Sequence, residues 1–314
     1  MNEFITEEFE KQEVLIDKSL TGYSRPWREK ALSRERLAGI YESFESRKAK
    51  RLRNCAQWLR FNVNVDGCKR LVSASFCRLR LCPMCVWRRS LKVFNQVFKI
   101  MQTLENDYCF IFLTFTTRNC LPDELKKAVD DFMYGWKLFS KQKIFKTVIK
   151  GYYRAFELTH NIKNNTYHPH FHCVFAVNKS YFTDKTYISS EQWRELWQNC
   201  MKLDYDPWVY VKKCYGDLSR SVAEVAKYSV SEDDYIIPKN KKLSLETVKL
   251  LDKSLNKRRF VSLGGVFKFV HKKLNLDDAE SGDLSDIGSL KLELPDASLE
   301  DYFWHIGYRQ YFKY

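Results

Sequence analysis

Apolar residues recur along this chain at two periods, and each predicts a different element. Tyr108 to Thr117 is a continuous apolar, aromatic and β-branched run, the pattern of a buried strand. Val148 to His160 and Thr166 to Val177 predict two more strands, joined by Asn161-Ile162-Lys163-Asn164-Asn165, a turn by its asparagines. Trp208 to Lys212 predicts a short alternating strand. Helical spacing of Leu32, Leu37, Ile40, Tyr41 and Phe44 predicts one amphipathic basic helix from Ala31 to about Arg60. Trp87, Leu91, Phe94, Phe98 and Met101 predict another, with Arg88 and Arg89 opening its exposed face. Further helices are expected from Pro122, over Glu191 to Met201, over Arg220 to about Val230, and over Lys241 to Arg259 before a Gly264-Gly265 break. Residues 1 to 30 read as a loosely held arm. No run approaches the roughly eighteen apolar residues of a membrane helix. Met1-Asn2-Glu3-Phe4 lacks a signal-peptide layout, so a cytoplasmic protein with no membrane partner is expected.

The strand from Thr166 carries unusual chemistry. Tyr167-His168-Pro169-His170-Phe171-His172 holds three of the six histidines at period two. A strand sends alternate side chains to opposite faces, so His170 and His172 project together while Phe171 and Cys173 pack behind. Two imidazoles side by side on a rigid strand are a metal clamp. If the strands flanking the asparagine turn form an antiparallel hairpin, Glu157 lies opposite His170 and completes a His-His-carboxylate set. On a later helix, Glu224 and Tyr228 stand four apart, so a carboxylate and a phenol can act on one site.

Ten cysteines change the picture at the N-terminal side. Cys82-Pro83-Met84-Cys85 lets two thiolates share a tetrahedral ion, and Cys77 with either Cys55 or Cys68 completes four, so a structural Zn2+ is expected. Such a site stabilises its surroundings by on the order of 10 kcal/mol.

Charge narrows the partners. The net charge of +14 is uneven: from Leu276 to Asp301 nine acidic residues face one basic, leaving 50 basic against 30 acidic, or +20, before it. A cationic body with interleaved aromatics points to nucleic acid, and Arg47, Lys48, Lys50, Arg51 and Arg53, with Arg88 and Arg89, are the candidate DNA-binding groups. A small-molecule metallohydrolase fits that charge poorly.

In this order, the motifs resemble the rolling-circle replication initiators of small plasmids from Gram-positive bacteria, in the His-hydrophobic-His (HUH) endonuclease superfamily. Phe112-Leu113-Thr114-Phe115-Thr116 is similar to the family's first strand, Tyr167 to His172 to its metal-binding strand, Glu224-Val225-Ala226-Lys227-Tyr228 to its nucleophile segment, and Cys82 to Cys85 with Trp87-Arg88-Arg89 to its cysteine knuckle. The resemblance runs from Arg25 to Asp278.

That resemblance implies a site-specific single-strand DNA endonuclease and nucleotidyltransferase. His170, His172 and Glu157 match its ligands for a divalent cation, Mg2+ or Mn2+, with His168 ranked below them. Tyr228 matches the nucleophile that forms a 5′-phosphotyrosyl intermediate, and Glu224 the acid that activates water for termination. Cys55 is favoured over Cys68 as fourth zinc ligand, and Tyr235 is a structural aromatic. Single- and double-stranded origin DNA, a host helicase and a DNA polymerase are the implied partners. The expected fold is α+β: a central antiparallel, about five-stranded sheet flanked by helices, with an N-terminal helical and cysteine zinc module. The expected division is a basic arm, helices and zinc module over 1–105, the catalytic domain over 106–236, and a C-terminal helical and acidic segment over 237–314 that can pack on the catalytic domain. The competing readings are an HUH transposase or relaxase, and a non-catalytic zinc DNA-binding regulator.

Overall fold

Thirteen residues of unbroken strand, Thr166–Asn178 (β5), form the middle of a five-stranded antiparallel sheet in the computed structural model. The structure describes residues 13–19, 22–214, 222–223, 226, 230–288 and 298–314. On one side β5 pairs with Tyr108–Thr116 (β3), which pairs outward with Val209–Lys213 (β6). On the other it pairs with Gly151–Asn161 (β4), which pairs with Val261–Gly264 (β7). The expected α+β fold and its sheet are therefore present. The predicted hairpin is present too, with Glu157 opposite His170.

Side-chain alternation sorts this sheet into two faces. One is an aromatic core: Phe171 lies 4.3 Å from Phe132 on helix Leu125–Phe139 (α4), and Phe115 lies 5.1 Å from Trp197 on helix Ser190–Met201 (α6). Ring pairs at such distances add to area burial and hold the backbone beneath them rigid. The opposite face carries His170 and His172. Ser189 starts α6 with a capping box, its hydroxyl accepting from Gln192 N while the Gln192 side chain accepts from Ser189 N.

The basic helix expected from Ala31 to Arg60 is two helices, Trp27–Glu42 (α1) and Ser46–Arg53 (α2), followed by strand Trp58–Val63 (β1). The break falls where Phe44 N and Glu45 N both donate to Tyr41 O and Glu45 leaves the helical region at φ −150°, ψ 73°. The helix predicted over Trp87 to Met101 runs from Pro83 to Leu104 (α3), with proline at its first position. Lys143–Val148 is a short helix (α5), so the strand expected from Val148 starts at Gly151. Helix Lys241–Ser254 (α7) stops short of Arg259, and Gly265–Lys273 (α8) follows the glycine break.

The chain forms two compact units, Met1–Arg88 with Asp283–Tyr314, and Arg89–Gly282. In the first, Lys69–Ala74 (β2), β1, Ser298–His305 (β8) and Gln310–Lys313 (β9) form a four-stranded antiparallel sheet in the order β2-β1-β8-β9. Strands β1 and β2 thus accompany the N-terminal helices, and the C-terminal aromatic stretch is a strand pair.

The acidic stretch is largely structural where it is described. In the second unit Asp277 pairs with Lys92 at 2.5 Å, and Glu280 Oε1 accepts from Phe260 N and Val261 N at 2.6 and 2.7 Å. In the first, Glu300 joins Lys69 and Lys313, each at 2.5 Å. No helix among the described residues is long and apolar enough to cross a membrane.

Gly265 makes a testable claim on the second unit. Its φ is +55°, and a Cβ there would meet Lys150 O at 2.1 Å. Gly265→Ala is expected to cost about 1–3 kcal/mol, read as a lower urea midpoint.

Candidate metal centres

The sheet face opposite the aromatic core draws three side chains to one point. His170 Nε2 lies 3.0 Å and His172 Nε2 2.8 Å from the same oxygen, Oε2 of Glu157. All three are largely buried, with His170 and His172 only 8% and 7% exposed. The far nitrogens are held as well: His172 Nδ1 is 3.2 Å from Thr114 Oγ1, and His170 Nδ1 is 3.2 Å from the carbonyl oxygen of His168. Phe112 stacks on the His172 ring at 5.8 Å.

These contacts argue for a cation. A carbonyl oxygen only accepts, so His170 Nδ1 donates to His168 O, and Nε2 is the nitrogen that faces the carboxylate. A proton or a metal ion bridges Nε2 and the carboxylate oxygen at 3.0 Å. Burial alone would raise the Glu157 carboxyl, but hydrogen bonds from His170 and His172 outweigh it and hold the group well below the usual carboxylate range. Glu157, His170 and His172 together can hold a metal ion. His168 is outside that set, its ring 5.4 Å from that of His170. Its pKa is lowered first by burial and then by His170.

A second cluster lies in the other unit. Cys55, just past α2, meets Cys77 and Cys82 ahead of α3 and Cys85 in its first turn. Sγ–Sγ distances are 3.6 Å for Cys55–Cys85, 3.6 Å for Cys55–Cys82 and 3.7 Å for Cys77–Cys85. Ligands about 2.3 Å from a tetrahedral centre stand about 3.75 Å apart, so the four sulfurs already have the spacing of a coordination shell and not of a disulfide. Cys77 N and Arg78 N each approach a sulfur at 3.3 Å, on Cys55 and Cys85. Arg78 reaches that position with φ +59°. Cys68 is exposed in the β1–β2 hairpin, its N–H donating to Asn64 Oδ1, and takes no part.

The family model described as "Replication protein" matches residues 68–312. The chain belongs to the replication protein family. It is similar to "Protein rep" of Bacillus amyloliquefaciens, 37% identical with 95% of this chain and 96% of the relative covered. It is also similar to "Protein rep" of Streptococcus pneumoniae serotype 2 (strain D39 / NCTC 7466), at 35% with 88% and 89% covered, and to "Replication protein" of Staphylococcus aureus, at 36% with 62% and 85% covered. No solved structure matches. These Gram-positive relatives agree with the plasmid replication initiators that the motifs resemble.

Within this replication protein the other sequence-predicted residues fall in three groups. Tyr228 and Glu224 lie outside the described residues. Arg47, Lys50, Arg51 and Arg53 are exposed on α2, Lys48 leans over the Tyr41 ring, and Arg51 Nη2 donates to Cys77 O at 2.6 Å, so this basic helix abuts the cysteine cluster. Arg88 and Arg89 are a correction. They are 1% and 2% exposed, not on an open face. Arg88 donates to Leu284 O and Ser285 O at 2.9 and 2.8 Å, and its guanidinium sits over Trp27. Burial pulls its pKa down to about 9. Arg89 Nε donates to Glu280 O. Neither group can meet a phosphate without leaving these partners.

The sequence reading did not single out Thr114 for the histidine site or Arg34 for the cysteine site. Arg34 is fully buried and donates to the Cys55 carbonyl. A polar residue inside an apolar strand, and an arginine among buried helix positions, were the signals available.

Proposed function

We propose that this family member starts plasmid replication by nicking one strand of origin DNA, with Tyr228 as nucleophile. The observation that carries this reading is the convergence of His170 and His172 on one oxygen of Glu157. Two imidazoles and a carboxylate suit a divalent ion, Mg2+ or Mn2+, while four sulfurs suit Zn2+. When bound, the divalent ion supplies charge stabilisation for a phosphodiester transition state. The chain's own groups do the rest. A free phenol has a pKa near 10, so only about one in a thousand is ionised at neutral pH, and Tyr228 must lose its proton as it attacks. The Tyr228 oxygen bonds to phosphorus, and the 3′ oxygen leaves and takes up a proton. A 5′-phosphotyrosyl link and a 3′-hydroxyl result, and the hydroxyl primes a host DNA polymerase behind a host helicase. At termination Glu224 removes a proton from water, whose oxygen cuts the second junction without a new protein–DNA bond. The exposed cations of α2 suit duplex origin phosphates, and the setting is the cytoplasm.

Tyr228→Phe is expected to abolish nicking and adduct formation on a single-stranded origin oligonucleotide with Mn2+. Glu224→Ala is expected to keep nicking and lose termination. A covalent DNA adduct on the Tyr228→Phe protein would sink the assignment.

A further inference from the structure

We propose that the outer edge of β6 is a base-stacking strip that receives single-stranded DNA beside the histidine site, through Trp208 and Tyr210. The inference rests on reading that site as one that acts on a DNA strand. Register places Tyr210 opposite Thr114, and Thr114 opposite His172, so β6 shares a sheet face with the candidate metal ligands. Period two puts Trp208 and Lys212 on that face too.

The rings form a continuous ladder. Trp208 stacks on Tyr210 with centroids 5.8 Å apart and planes 9° from parallel. Tyr210 meets Phe112 at 6.3 Å, and Phe112 stacks on His172 at 5.8 Å. The inner rungs are buried, Phe112 and His172 at 7% exposure each, while Trp208 is 61% and Tyr210 42% exposed. Two large rings left in water at the outer end of such a ladder forgo the burial that normally stabilises aromatics.

The strip is also held in place. Thr116 Oγ1 donates to Trp208 O at 2.8 Å, and Trp197 Nε1 donates to Thr116 O at 2.9 Å, which ties the edge to the aromatic core. Among the described strands β6 pairs only with β3. Positive charge accompanies the rings: Lys212 is exposed on the same face, and Arg118 lies 3.7 Å over the Tyr205 ring. Of the two acidic residues in the preceding loop, Asp204 and Asp206, the latter is tied to Arg194.

A single strand matches this surface better than a duplex or a protein strand. Its bases offer π-faces and its phosphates meet Lys212, whereas duplex bases already stack on one another. Rings at 5.8 Å are closer than twice the ~3.4 Å base rise. A base therefore stacks on the free face of Trp208 and does not insert between the rings.

The test uses the full chain and an oligothymidylate of about fifteen nucleotides carrying one 2-aminopurine, with an abasic strand of equal length as control. Trp208→Ala is expected to weaken binding of the base-bearing strand by about ten- to a hundredfold, to abolish 2-aminopurine quenching, and to leave abasic binding unchanged. Trp208→Phe restores most of the affinity. Equal losses on both strands, or unchanged affinity and quenching, would overturn the strip and leave the edge to a protein partner. Mn2+-dependent nicking by Tyr228→Phe is measured separately, so failure of the nicking reading and failure of the strip give different results.

Discussion

Glu157→Gln is expected to lower metal-dependent nicking by about a hundred- to a thousandfold or more, with the fold retained. Glu157 is the only anion among the three groups that meet at the site. The amide keeps the shape of the carboxylate and can still hydrogen-bond the two imidazoles, so the variant opens no cavity. What is lost is the negative charge, and with it most of the attraction for a divalent ion. Calorimetric titration with Mn2+ should show affinity falling with activity, while the urea midpoint stays near that of the parent. Nicking at the parent rate would remove Glu157 from the ligand set. Because the two imidazoles hold its pKa well below the usual range, loss of activity on acidification should not follow titration of Glu157.

The second large effect is on folding. Cys82→Ser, or stripping with a zinc chelator, is expected to unfold the unit formed by Met1–Arg88 and Asp283–Tyr314. Metal binding at a four-thiolate site contributes about 10–16 kcal/mol, against a whole-domain stability of about 5–15 kcal/mol. Cys82 is fully buried, and burial and the neighbouring cysteines push its thiol up, so without a cation the four sulfurs cannot all ionise. One zinc per chain by mass spectrometry under native conditions, and loss of far-UV circular dichroism on chelation, are the readouts. Cys68→Ser should change neither. If Cys68→Ser lost the zinc and Cys55→Ser kept it, the fourth ligand would be reassigned.

Much of the histidine site is legible before folding because it is built on one hairpin. Asparagines at 161, 164 and 165 set the turn, period two sets the faces, and counting back from the turn puts Glu157 against His170. Such an argument spans thirteen residues. The helix expected from Ala31 to Arg60 failed on the same local scale, because the backbone of Phe44 and Glu45 turns onto one carbonyl. No periodicity carries that information.

The sequence by itself determined four of the five strands of the histidine-bearing sheet, the pairing of Glu157 with His170, the shared face of His170 and His172, and a four-cysteine site whose fourth member the family resemblance gave as Cys55. Only the tertiary structure supplied the fifth strand β7, turned Arg88 and Arg89 inward, set Thr114 behind His172, and paired β1 with β8. Period and turn chemistry act over a few residues, so they can be read from neighbours in the chain. The choices left over depend on partners as distant as Trp58 and Phe303, which meet only when long-range burial repays the entropy of closing the loop between them.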